Sequence, residues 1–152
     1  MTALALWPTA ADVLTSNGDV TVTLNTVNAP AVSVSVSGNS LTVDANASSE
    51  IQTNYSSAQT LDAGISPSPY TMTASGTLDS TQLSGAVSYS TPEIFMGFDS
   101  DYPISGQFLV TGSSSSARLT AEGVNVLIEI DADGDGIYEE MINTTWAELV
   151  GT

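Results

Sequence analysis

The chain has 152 residues with 17 acids against a single cation, Arg118, and it contains no histidine, lysine or cysteine, for a net charge of −16. That inventory excludes disulfides, Ser-His-Asp and Cys-His nucleophiles, Schiff bases, zinc sites with imidazole or thiolate, and lysine-to-asparagine isopeptide cross-links. The charge opposes nucleic acid, whose phosphates are neutralised by Lys and Arg, as well as anionic membrane surfaces.

In chain order, Ala3–Trp7 is a short apolar run stopped by Pro8, and Thr9–Asn17 is expected to hold a helical turn closed by Asn17-Gly18. Alternation then sets in: Val20, Val22 and Leu24, then Val32, Val34 and Val36, then Leu41 and Val43, each interleaved with polar residues, mostly Ser and Thr. A period of two puts the apolar set on one face of a strand. Gly38-Asn39 reads as a two-residue hairpin turn, so these runs form a three-stranded meander with one apolar and one Ser/Thr face.

The region 46–69 is sparse in apolar residues and predicts one edge strand around Ile51–Thr60, ended by Pro67 and Pro69. Alternation resumes from Tyr70 to Leu78 and, after an Asp79-Ser80 turn, from Leu83 to Tyr89, where Thr91-Pro92 is expected to break the strand. Ile94, Phe95, Met96 and Phe98 concentrate bulk and are expected to plug one end of the core. Asp99 and Asp101 read as turn residues or as a second, poorer cation site. Gln107–Thr111 and Ala117–Ala121 form a hairpin across a Gly/Ser loop. Arg118 is expected to pair with a carboxylate on the sheet surface. Trp146, Leu149 and Val150 close the chain as a strand end or short helix.

One stretch carries site chemistry. In 124–142, VNVLIEIDADGDGIYEEMI, two apolar runs flank a loop with the spacing Asp-x-Asp-x-Asp-Gly-x-x-Glu. Calcium takes six to eight hard oxygen ligands. Asp131, Asp133 and Asp135 supply carboxylates at alternate positions, Ile137 a backbone carbonyl, and Glu139 a ligand held directly or through water. Gly136 permits the sharp bend. An EF-hand would place a bidentate Glu at position 12, where this chain has Ile142, and its flanks would be helical. One ligand fewer predicts weak affinity, about 10⁻⁴–10⁻³ M as in extracellular modules. An acidic hairpin turn without metal is the competing reading, since Asp-Gly is a common hairpin signal. Against it, three aspartates within five residues repel one another unless a cation sits between them.

The nine-residue pattern resembles the calcium loops of integrin α-chain blades, thrombospondin type 3 repeats and dockerins, a likeness that implies an ion and no activity. The segments from Pro103 to Leu149 (PISG…LVTG…RLTA…IEIDADGDGIYE…TTWAEL) resemble a C-terminal region of bacterial exported proteins and lipoproteins, which implies export and β structure.

The length and strand spacing predict one all-β domain over residues 1–152: an antiparallel β-sandwich or partly open barrel of about ten strands, with an arm over 1–18 and a core over 19–152. No segment reaches the roughly 18 apolar residues of a membrane span. Polarity comes from 22 Ser and 19 Thr rather than from charge, a composition associated with secreted bacterial surface proteins. Met1–Leu14 lacks the basic start and apolar core of a signal, so a secreted or cell-surface mature form is expected.

The function expected is a non-enzymatic, calcium-stabilised structural or adhesive module. Ala3–Trp7 is the candidate strand for exchange between copies into a filament. A carbohydrate- or small-ligand-binding domain is the alternative, with Trp7, Tyr55, Tyr70, Tyr102 and Trp146 as candidate platforms. A glycoside hydrolase using two carboxylates is the remaining enzyme class.

Overall fold

The computed structural model describes residues 14–45, 48–99 and 101–151. Ten antiparallel strands form one open sheet: β1 (Leu14–Gly18), β2 (Thr21–Asn25), β3 (Ala31–Ala45), β4 (Ser48–Asp62), β5 (Pro69–Ser80), β6 (Val87–Phe98), β7 (Ser105–Thr111), β8 (Ser116–Glu122), β9 (Asn125–Asp131) and β10 (Glu140–Thr145). A five-residue helix, α1 (Trp146–Val150), follows. The all-β architecture and the strand number are as expected. From β3 onward every strand pairs with its sequence neighbour, while β1 and β2 lie end to end along the outer side of β3. The sheet is therefore nine rows wide.

Residues directly opposite in antiparallel strands share a face, and the register shows how the alternation is used. Val22 faces Val36, and Leu24 faces Val34. Further across, Leu41, Gln52, Leu78 and Val87 form one row, and Tyr89, Val110, Ala117 and Ile130 another. Phe108, Leu119, Ile128 and Ile142 form a third. The other face is mostly hydroxyls, with Thr23, Ser35, Ala58 and Thr73 in one row and Thr77, Ser88, Thr111 and Ser116 in another. The face assignment read from periodicity holds for β2 and β3, whereas in β7 to β10 Leu109, Leu127 and Met141 stand on the hydroxyl-rich face with Arg118 and Glu129. In a single layer it buries few groups fully: Tyr55, Tyr70, Phe95, Ala121 and Val126 are the buried apolar residues among those described.

Several expected breaks are absent. Gly38-Asn39 is no hairpin; β3 runs straight through it. Three residues of β3 (38–40) stand opposite two on the edge (19–20), and Asp19 fills the mismatch. Its carboxylate accepts the backbone N–H groups of Asn39 (2.8 Å) and Ser40 (2.9 Å), in place of ladder bonds. Tyr55 donates its hydroxyl to the Asp19 carbonyl at 2.6 Å, and its ring occupies the space above Gly38 where any Cβ would stand. Gly38 thus marks a close approach and a bulge rather than a turn.

The last four residues of the expected helical turn (14–17) are strand β1 together with Gly18, because β3 offers backbone partners there, and the rest of that turn lies outside the described residues. Region 46–69 yields β4, fifteen residues long and interior, between β3 and β5. Its Ser, Thr and Gln positions fit because an open sheet leaves much of both faces wet. Thr91-Pro92 lies inside β6 without ending it, at the point where the β6–β7 register shifts and no ladder N–H is required. Of the expected aromatic plug only Phe95 is buried; Ile94, Met96 and Phe98 are exposed.

The backbone N–H of Asn39, followed by that of Ser40, holds the Asp19 carboxyl below its ordinary 3.8. A depressed folded-state pKa contributes stability above the unfolded value and loses it as pH falls through the folded one. Asp19→Ala should therefore lower the melting temperature at pH 7, and the gap from wild type should close as pH drops below 3.8. Thermal melts across a pH series measure this.

Candidate metal centre

The loop between β9 and β10 is built by its own aspartates. Asp131, the last residue of β9, is 3% exposed and accepts the N–H groups of Gly134 (2.7 Å) and Gly136 (3.1 Å) through its two oxygens. Asp133 accepts from Asp135 N–H at 3.2 Å, and Asp135 from Ile137 N–H at 2.7 Å. Short side chains that bond the backbone two residues on are what fold such a turn without helix or strand. Gly134 and Gly136 have φ of 78° and 89°, the left-handed region that costs a side chain dearly. Glu139 reaches back across the loop to accept Ala132 N–H at 2.9 Å.

The result brings carboxylate oxygens of Asp131, Asp133, Asp135 and Glu139 within 4.8 Å of one another. These are the four side chains that the sequence spacing selects. Among the described residues no other group of three or more acids converges in this way. Asp131 is buried and the other three are exposed, so an ion would sit at the rim with one anchored and three open ligands. Ile137 is exposed in the same loop, its N–H turned to Asp135.

Arg118, the sole cation, does not neutralise the cluster. It pairs with the mostly buried Glu129 (Nε 2.8 Å, Nη2 2.7 Å) on the hydroxyl-rich face, as expected. Its guanidinium also lies 4.5 Å over the ring of Tyr138. Tyr138 stands between Ile137 and Glu139, so this contact ties the returning leg of the loop to the sheet. The role of Arg118 in holding Tyr138 was not legible in the sequence, which carries no signal for a contact across twenty residues.

The other candidates separate. Asp99 sits in a turn with φ 47°, accepting Ser68 N–H at 2.9 Å, and Asp101 turns its carbonyl to the Tyr70 hydroxyl at 2.8 Å. Neither belongs to a group of three or more converging acids among the described residues. Tyr55 and Tyr70 belong to the core. Tyr102 and Trp146 come together, rings stacked at 5.8 Å and 14°, beside a cleft of about 530 Å³ lined also by Ile104, Val124 and Asp101. The Trp146 indole donates to the Pro103 carbonyl at 3.0 Å, and Phe95 meets its ring edge-on. Trp7 and the Ala3–Trp7 run lie outside the described residues. No helix among the described residues is long and apolar enough to cross a membrane.

No protein family, curated protein or solved structure matches the chain.

Proposed function

We propose that this chain is a non-enzymatic, calcium-stabilised structural or adhesive β-module of a secreted or cell-surface protein. The observation that carries this reading is the convergence of Asp131, Asp133, Asp135 and Glu139 within 4.8 Å, in a loop whose sequence contains no Lys or Arg. An all-oxygen set of carboxylates, completed by the Ile137 carbonyl and water, suits a hard cation. Calcium fits better than magnesium, because an irregular, open cluster tolerates calcium's flexible coordination and not magnesium's strict octahedron. A site at the rim of a sheet hairpin fastens two strands and leaves no enclosed space for a reaction. A sheet bearing hydroxyls on one face, and a chain without His, Lys or Cys, point the same way.

Isothermal titration calorimetry tests the ion. The expected result is one site per chain with Kd about 10⁻⁴–10⁻³ M for calcium. Asp133→Asn should weaken it severalfold while leaving the circular dichroism unchanged. Absence of calcium heat at millimolar concentration, or equal binding by the variant, would remove the proposal.

The Tyr102–Trp146 stack favours a second reading, a carbohydrate-binding module. An exposed tyrosine face beside the Asp101 carboxylate offers a sugar both an apolar platform and an acceptor. The cleft presents one carboxylate where hydrolysis of a glycosidic bond takes two, which weighs for binding over catalysis. Oligosaccharide titration followed by tryptophan fluorescence, with Tyr102→Ala as control, decides it.

A further inference from the structure

We infer that β2 is a self-association edge, and that two copies of this chain join there about a two-fold axis, antiparallel, into one continuous sheet. The inference is independent of the calcium site.

All five residues of β2 are exposed, and Val22 and Leu24 are 64% and 66% exposed on the apolar face. Val20 and Val27, just beyond its ends, are exposed as well. Natural sheets guard such an edge with lysine, proline, a bulge or an inward-pointing charge. Within Thr21–Asn25 there is none of these; the bulge opposite 38–40 and the inward-turned Asp19 lie before it, at residues 19–20. The sole acid between residues 14 and 43 is Asp19, and its carboxylate is turned onto the Asn39 and Ser40 amides of β3.

The opposite edge is guarded. Glu140 opens β10, Glu139 precedes it, and Glu148 accepts the Thr145 N–H at the far end. Eight of the 17 acids (Glu122, Glu129, Asp131, Asp133, Asp135, Glu139, Glu140, Glu148) fall between residues 122 and 148. Pairing through β10 would press these together. Pairing through β2 sets the two acidic ends as far apart as the sheet allows, since eight strand spacings of about 4.8 Å separate β2 from β10 in each copy. That distance is several times the roughly 8 Å over which charge acts at physiological salt.

Topology selects the two-fold over a head-to-tail chain. The row containing β2 and the row of β10 point the same way, because eight antiparallel steps separate them. Head-to-tail stacking with a common apolar face would therefore make a parallel pair, whereas the two-fold makes the more stable antiparallel one. Centred on Thr23, it pairs all five positions and sets Val22 of each copy against Leu24 of the other. It also closes, so growth stops at two.

Sedimentation equilibrium of the full chain tests this. The mass should rise from 15.6 kDa toward twice that value with concentration, and the association should strengthen as salt rises from about 0.01 M, where charge acts over about 30 Å, and level off near physiological salt. Thr23→Cys should form a disulfide dimer under mild oxidation, and Asn143→Cys on β10 should not. Val22→Lys with Leu24→Lys should abolish the dimer with the circular dichroism unchanged. A chain monomeric at all concentrations and salts, a dimer that survives the double lysine variant, or growth into filaments would each overturn the inference. Capture of an Asn143→Cys dimer in place of the Thr23→Cys one would move the interface to β10 and overturn it as well.

Discussion

Tyr55→Ala should cost about 3–5 kcal/mol of unfolding free energy, the usual range for removing a large buried aromatic side chain. Tyr55→Phe should cost about 1 kcal/mol, the net value of one hydrogen bond. The ring is 7% exposed and covers Gly38 at the point where β3 accommodates its extra residue. Asn54, immediately before it, takes a φ of 48°, and the β4–β5 register shifts there. Two irregularities in adjacent strands thus meet under one side chain whose hydroxyl fixes the Asp19 carbonyl. Without the ring, β1 and β2 lose the support that holds the edge straight. Chemical denaturation of both variants measures the two values. Equal losses for alanine and phenylalanine would show that the hydroxyl, not the ring, holds this corner.

The second large effect is at Asp131. Asp131→Ala removes the one buried ligand and leaves the N–H groups of Gly134 and Gly136 without their acceptor. Water replaces some of those bonds in an exposed loop, so a loss of about 1–2 kcal/mol is expected without calcium. In calcium the loss should be larger, because the ion no longer binds and its stabilisation disappears too. Asp131→Asn separates the contributions: its amide oxygen keeps one loop bond while the charge is lost. If Asp131→Ala and wild type gain equally from calcium, Asp131 is a turn residue and not a ligand.

These two sites show what the chain discloses on its own. The Asp131–Glu139 loop was legible because its chemistry is local: nine consecutive residues supply the converging carboxylates, the bends and the turn bonds. Face assignment in β2 and β3 was legible too, since a period of two is fixed by the pleat. Strand limits were not. Gly38-Asn39 has the composition of a turn, and only Asp19 and Tyr55, at separations of about twenty residues, make it a bulge within β3. Pro92 reads as a strand terminator, yet it occupies a register shift where its missing N–H costs nothing. The interior place of β4 was hidden because an open, single-layer sheet admits Ser, Thr and Gln where a two-layer core would demand Val and Ile. Tyr102 and Trp146, 44 positions apart, meet only because α1 returns beside the turn after β6.

The measurement that tests the central claim most directly is the melting temperature of the full chain in millimolar calcium, in the same concentration of magnesium, and in EDTA. At ten times Kd, calcium that binds only the folded state adds about 1.4 kcal/mol, which raises the melting temperature of a domain this size by about 3–5 °C. Magnesium should give a much smaller rise, and EDTA should reverse the calcium effect in full. Identical melting temperatures in all three conditions would contradict the account, leaving the four carboxylates as the ordinary bonds of an acidic turn.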